Sequence, residues 1–115
     1  MYKVNDIIYL YIKGLNKKKF KDIGLMPNRF AKIIRIQEDL VENTIDYTIN
    51  LFNDKNKKDI IINSVANKFT FCDLNELIDI IRNLDISDEG KDKYIELIDK
   101  IIKEEDMKNI PYKYF

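Results

Sequence analysis

Eight cations, Lys13, Lys17, Lys18, Lys19, Lys21, Arg29, Lys32 and Arg35, fall in a stretch that holds a single acid, Asp22. Ammonium groups at that density suit a nucleic-acid backbone, where each phosphate contact releases counterions, or an acidic protein surface. Tyr9, Tyr11, Phe20 and Phe30 lie near enough in sequence to offer ring faces on which bases stack. Only two of the eight are arginines, which argues against bidentate reading of base edges. The opposing reading is a solvated loop. The chain has 21 Ile, 17 Lys and 12 Asn against 2 Ala and 3 Gly, the usage of an AT-rich genome, in which lysine fills exposed positions by default. Lys55, Lys57 and Lys58 either extend the patch or belong to a turn.

Other reactive side chains are sparse. Cys72 has no histidine partner anywhere in the chain, no G-x-S-x-G elbow occurs, and Gly14, Gly24 and Gly90 form no phosphate-cradling loop. Cys72 precedes a helix start, where a thiolate is favoured, yet it ends an apolar run and reads as a small core residue. One cysteine without histidine cannot complete a tetrahedral zinc site. Asp88 and Asp92 are one helical turn apart, but no calcium loop or nuclease motif surrounds them. The reading is therefore a non-enzyme with no catalytic residue, no metal and no cofactor.

The charges also divide the chain. Met1 to Cys72 carries 13 basic and 8 acidic residues, and Asp73 to Phe115 carries 7 and 12, so a formal net charge of zero conceals two opposed halves. In the acidic half Asp79, Asp85, Asp88, Glu89, Asp92, Glu96, Asp99, Glu104, Glu105 and Asp106 read as a solvated helix face laced with lysines.

The elements that must position these groups change character at that boundary. Ile7 to Ile12, Ala31 to Gln37, Ile45 to Phe52 and Asp59 to Asn63 are β-branched and aromatic runs of strand length. Ile45, Tyr47, Ile49 and Leu51 alternate with Asp46, Thr48 and Asn50, which predicts one buried and one wet face. Asn53 to Asn56 supply turn chemistry for a hairpin, and a short fifth strand or 3₁₀ turn is expected around Phe69 to Phe71. Asp73, followed three positions on by Glu76, starts a helix at Leu74 whose stripe is Leu74, Leu77, Ile78, Ile81 and Leu84. Ser87 caps a second helix with a stripe of Tyr94, Ile95, Leu97, Ile98, Ile101 and Ile102. The short link between them predicts an antiparallel helical hairpin laid on the strands. The tail Tyr112, Lys113, Tyr114 and Phe115 is too aromatic for a solvated end and is expected to dock on the body or a partner.

The fold class read from these patterns is α+β: one domain over 1–115, with a small, strongly bent antiparallel sheet or SH3-like barrel of four or five strands over 1–72. Two helices follow over 73–108 and an aromatic tail over 109–115. The order "VNDIIYLYI", a long excursion, "AKIIRI", "YTINLF" and "DIIIN" resembles the small SH3-like barrels, Tudor-type domains among them, over residues 1 to about 72. Tudor domains that read methylated side chains do so with an aromatic cage; Tyr9, Tyr11, Tyr47 and Phe52 are the strand aromatics here, and no functional residue is carried over.

The expected function is binding, most of all to a protein, with nucleic acid as the alternative. Candidate binding residues are Lys17, Lys18, Lys19, Lys21 and Arg29, with Tyr9, Tyr11, Tyr112, Tyr114 and Phe115. A small, cofactor-free chain of this composition resembles in type the accessory proteins of phages and mobile elements, including inhibitors of host defence such as anti-CRISPRs. No apolar run approaches the ~20 residues of a bilayer helix. With no secretory leader and a lone cysteine, a cytoplasmic protein without a membrane partner, monomer or homodimer, is expected.

Overall fold

The computed structural model describes residues 2–12, 24–65 and 69–108. The strands are β1 (Ile7–Ile12), β2 (Phe30–Asp39), β3 (Thr44–Leu51), β4 (Ile60–Asn63) and β5 (Phe69–Asp73), with a 3₁₀ turn at Pro27–Arg29 before β2. Two helices follow, α1 (Leu74–Arg82) and α2 (Asp88–Lys108). The five strands form one antiparallel sheet in the order β4-β3-β2-β1-β5.

The α+β class expected from the change of period is the one observed, and of its two forms the structure adopts the open sheet. β4 and β5 are its two edges, so the closed barrel is not formed. Closure would require the last strand to pair back onto the far edge. Here β5 pairs with β1, and its final residue, Asp73, is already the N-cap of α1.

Strand periodicity assigns the two faces. Tyr9 lies between Phe30 and Cys72 in register, and all three project to the side on which Leu77, Ile81 and Leu84 of the α1 region and Ile98 and Ile101 of α2 pack. Ile8 and Leu10 alternate to the other side and join Ala31, Ile33, Tyr47, Ile49 and Ile62 in a second buried cluster. β1 therefore buries both faces, which explains its almost unbroken apolar run.

β2 instead keeps Ala31, Ile33 and Ile36 on one face by an irregularity. The register steps from Ile33 opposite Ile49 to Arg35 opposite Thr48 and Ile36 opposite Tyr47. Ile34 is the extra residue of a β-bulge, so Ile33 and Ile36 share a face although three positions apart, and Arg35 stays out of the core. Strict alternation along the same residues would have put Arg35 beside Ile33.

The alternation expected for β3 holds on its apolar face, but its polar face is not simply wet. Thr48 is buried, flanked in register by Arg35 and Ile61. Asn50 Nδ2 donates to the carbonyls of Lys57 and Lys58 at 3.3 and 3.1 Å and to Asp59 Oδ1 at 3.0 Å, pinning the β3–β4 turn. Asn5, Asn43 and Asn53 hold positive φ values of 77°, 53° and 65°, so part of the asparagine excess does backbone work in turns.

Both helix starts follow the sequence reading. Asp73 accepts from the Glu76 N–H at 2.8 Å, and Ser87 Oγ accepts from the Gly90 N–H at 3.1 Å. A Cβ at Gly90, in the first turn of α2, would stand 3.3 Å from Ile86 Cδ1, so a larger residue there would press on that side chain. Ile81 and Ile98 are fully buried on the two stripes. Ile81→Asp or Ile98→Asp is expected to cost several kcal/mol, a large share of the ~5–15 kcal/mol that holds a domain, by burying an unpaired charge. Thermal melts of both variants test this, and unchanged midpoints would show that the helices contribute little to the core.

Candidate functional site

The basic excursion between β1 and β2 is held by a defined return leg. Gly24 has φ +75°, and the Tyr94 hydroxyl of α2 lies 3.6 Å from where its Cβ would stand. Leu25 packs against the helix-side core, and the Met26 N–H donates to Tyr9 Oη at 3.0 Å. The 3₁₀ turn then places Arg29, half-buried, at the start of β2. Lys17, Lys18, Lys19 and Lys21 lie outside the described residues, as do Tyr112, Tyr114 and Phe115.

The aromatic candidates take structural roles. Tyr9 is 4% exposed, and its ring meets Phe30 edge-on at 5.1 Å, so it is not a stacking platform for a base. Burial raises its hydroxyl pKa, while the Met26 hydrogen bond and the Arg29 charge partly oppose that rise. Tyr11 is half-buried and packs on the same core. Phe52 shares that side and Tyr47 lies on the other, so the four strand aromatics do not converge. On the other face Tyr2, Tyr47 and Phe71 form a ring cluster with centroids 4.6 to 5.9 Å apart, of which only Tyr47 was singled out from sequence. Tyr9→Phe should leave the Met26 N–H without its partner, costing about 1–3 kcal/mol. Faster hydrogen exchange at Met26, with the sheet amides unchanged, would locate the loss at the stem of the excursion.

Lys57 is paired within the fold. Its Nζ lies 2.6 Å from Glu105 Oε1. Glu105 is only 5% exposed, although the acids of α2 were expected on a solvated face. The Asn53 N–H donates to Glu105 Oε2 at 3.3 Å, and Lys108 Nζ stands 3.8 Å from the same oxygen while also reaching Asn53 Oδ1. The β3–β4 turn is thus clasped to the end of α2. A sequence signal existed: Glu105 continues the helical spacing of Ile98 and Ile101.

Burial pushes the Glu105 carboxyl up, but the hydrogen bonds from Lys57 and Asn53 and the charges of Lys57 and Lys108 outweigh it, and the net shift is downward. A carboxylate whose folded pKa is depressed stabilises the fold above its unfolded pKa, and that contribution disappears as pH falls through the folded value. Glu105→Gln should therefore lower the melting temperature more at pH 7 than at pH 3. Equal losses at both pH values would show a packing role instead of an electrostatic one.

Cys72 is buried in the core, and burial, followed by the charges of Glu76 and Asp73, pushes its thiol up to about 12. It is a thiol at neutral pH, which suits a core residue and not a nucleophile. Among the described residues no group of three or more acidic or cysteine side chains converges on a common point, and no helix is long and apolar enough to cross a membrane.

Among the described residues, the most exposed apolar side chains lie at the far end of β2. Leu40 and Val41, in the β2–β3 turn, are 87% and 92% exposed. Asp39 Oδ1 accepts from the N–H groups of Val41 and Glu42, each at 3.0 Å, and Asn43 with φ 53° completes the turn. The sequence reading ended one strand at Gln37 and began the next at Ile45, so Leu40 and Val41 fell in the connection between them, where two apolar residues carry no periodic signal.

Comparison with protein-family models, with curated proteins and with solved structures finds no match to this chain.

Proposed function

We propose that the protein is a non-catalytic binding module that acts by occupying the surface of another protein. The observation that carries this reading is the β2–β3 turn, where Leu40 and Val41 stand almost fully in solvent on a backbone locked by Asp39. Large apolar side chains so presented contribute nothing to the fold, while a turn already ordered has little conformational freedom to lose on binding. An inhibitor that covers a working surface of a host protein is the most specific form of this reading.

A second reading, nucleic-acid binding through the excursion 13–35, is favoured by the rigid return leg. The Met26 N–H bond to Tyr9 and the packing of Leu25 anchor the segment before β2, and Arg29 adds a charge there.

Two variants separate the readings. Leu40→Ser with Val41→Ser should leave the melting temperature unchanged and weaken a protein partner by about 2–4 kcal/mol, the range of binding hot spots. Replacing Lys17, Lys18, Lys19 and Lys21 with Ala should spare the fold as well. With a nucleic-acid partner it should flatten the dependence of log affinity on log salt by about one unit per phosphate contact removed. Isothermal titration against the purified partner at three salt concentrations distinguishes them. A partner whose affinity responds to the quadruple variant and not to the tip variant would reverse their order.

A further inference from the structure

We infer that the β2–β3 hairpin is an arm that docks Leu40 and Val41 into an apolar slot with a lysine- or arginine-rich rim on its partner. The inference rests on the protein-binding reading above and specifies the chemistry of the partner. Between Ile36 and Leu51 the chain carries Glu38, Asp39, Glu42 and Asp46 and not one cation, in a protein with 17 lysines. If exposed positions here were filled by the composition of the chain, lysine would be the default. Its absence from this arm, flanking the two most exposed apolar residues, is the contrary pattern.

The structure keeps these charges available. Glu38, Asp39 and Glu42 are exposed, and among the described residues none of them forms an ion pair. Asp39 holds the turn, and Asp46 accepts from Asn63 Nδ2 at 2.7 Å and forms no ion pair among the described residues. Glu38 lies close enough to Tyr47 for its charge to add to the burial that raises the Tyr47 hydroxyl. Carboxylates on a single hairpin tip lie within about one Debye length of each other at physiological salt, so a partner feels them together. Such a collar repels nucleic acid and anionic membranes and attracts a cationic rim, raising association rate and excluding partners of the wrong sign.

The test uses the full chain, ¹⁵N-labelled, and two amphipathic peptides of equal leucine content, one alternating Leu and Lys and the other Leu and Glu. The Leu/Lys peptide should shift amide resonances over residues 36–46 and bind at least tenfold more tightly than the Leu/Glu peptide, with the difference shrinking as salt is raised. Leu40→Ser with Val41→Ser should weaken the Leu/Lys peptide at least tenfold. Glu38→Gln with Glu42→Gln should narrow the preference for Lys over Glu while the tip still binds. Shifts centred elsewhere, or no response to the tip substitutions, would overturn the assignment of the arm. Equal affinity for the two peptides, with binding still lost in the tip variant, would overturn the cationic rim and leave the protein-binding reading standing. Concentration-dependent self-association abolished by the tip variant would assign the slot to a second copy of the chain, and retention on phosphatidylcholine vesicles would assign it to a lipid surface. Either result overturns the inference.

Discussion

Tyr9 stands where three parts of the molecule meet. Its backbone is flanked by Phe30 on β2 and Cys72 on β5, its ring lies in the core beneath the helices, and its hydroxyl anchors the return of the basic excursion. The register that places Cys72 beside Tyr9 also places Asp73 beside Ile8, at the point where the sheet gives way to α1. The position of the first helix is therefore tied to one strand pairing. A slip of a single residue between β1 and β5 would turn Cys72 to the wrong face and separate the N-cap from the end of the sheet.

Charge is distributed on this frame with more order than the neutral total suggests. The cations from Lys13 to Arg35 precede or open β2, and the four acids of the arm lie around its far end and along β3. β2 is ten residues long, roughly 33 Å at strand rise, so Arg29 at its start and the acids at its far end lie several Debye lengths apart, with Lys32 and Arg35 on the strand between them. Glu105, Lys57 and Lys108 belong to neither set. Their charges meet in one cluster that joins the β3–β4 turn to α2.

The extent of apolar burial accounts for the chemistry the molecule does not offer at its centre. Cys72, the one thiol, and Tyr9 are absorbed by the core, and burial moves both away from the charged form. The backbone at the two ends of β2 is pinned by Tyr9 on one side and by Asp39 on the other.

Local signals in the sequence were sufficient wherever a single element determines the outcome. The run from Ile7 to Ile12, the alternation from Ile45 to Leu51, the Asp73 and Ser87 caps and both helical stripes depend on periods and on hydrogen bonds spanning three or four residues. The bulge at Ile34 does not, because only pairing with Ile49 and Tyr47 shows that β2 carries one residue too many. Nor does the fate of Tyr9, an aromatic beside a basic segment on the page and a buried ring once Phe30 and the helices close over it. Glu105 kept the spacing of its buried stripe, but its partners lie about fifty residues away, beyond any local pattern. The apolar tip of the arm became visible as a surface only when the core was complete without Leu40 and Val41. Periodicity decides what a residue does within its own element; which side chains are left over for a partner is decided by the packing of all elements together.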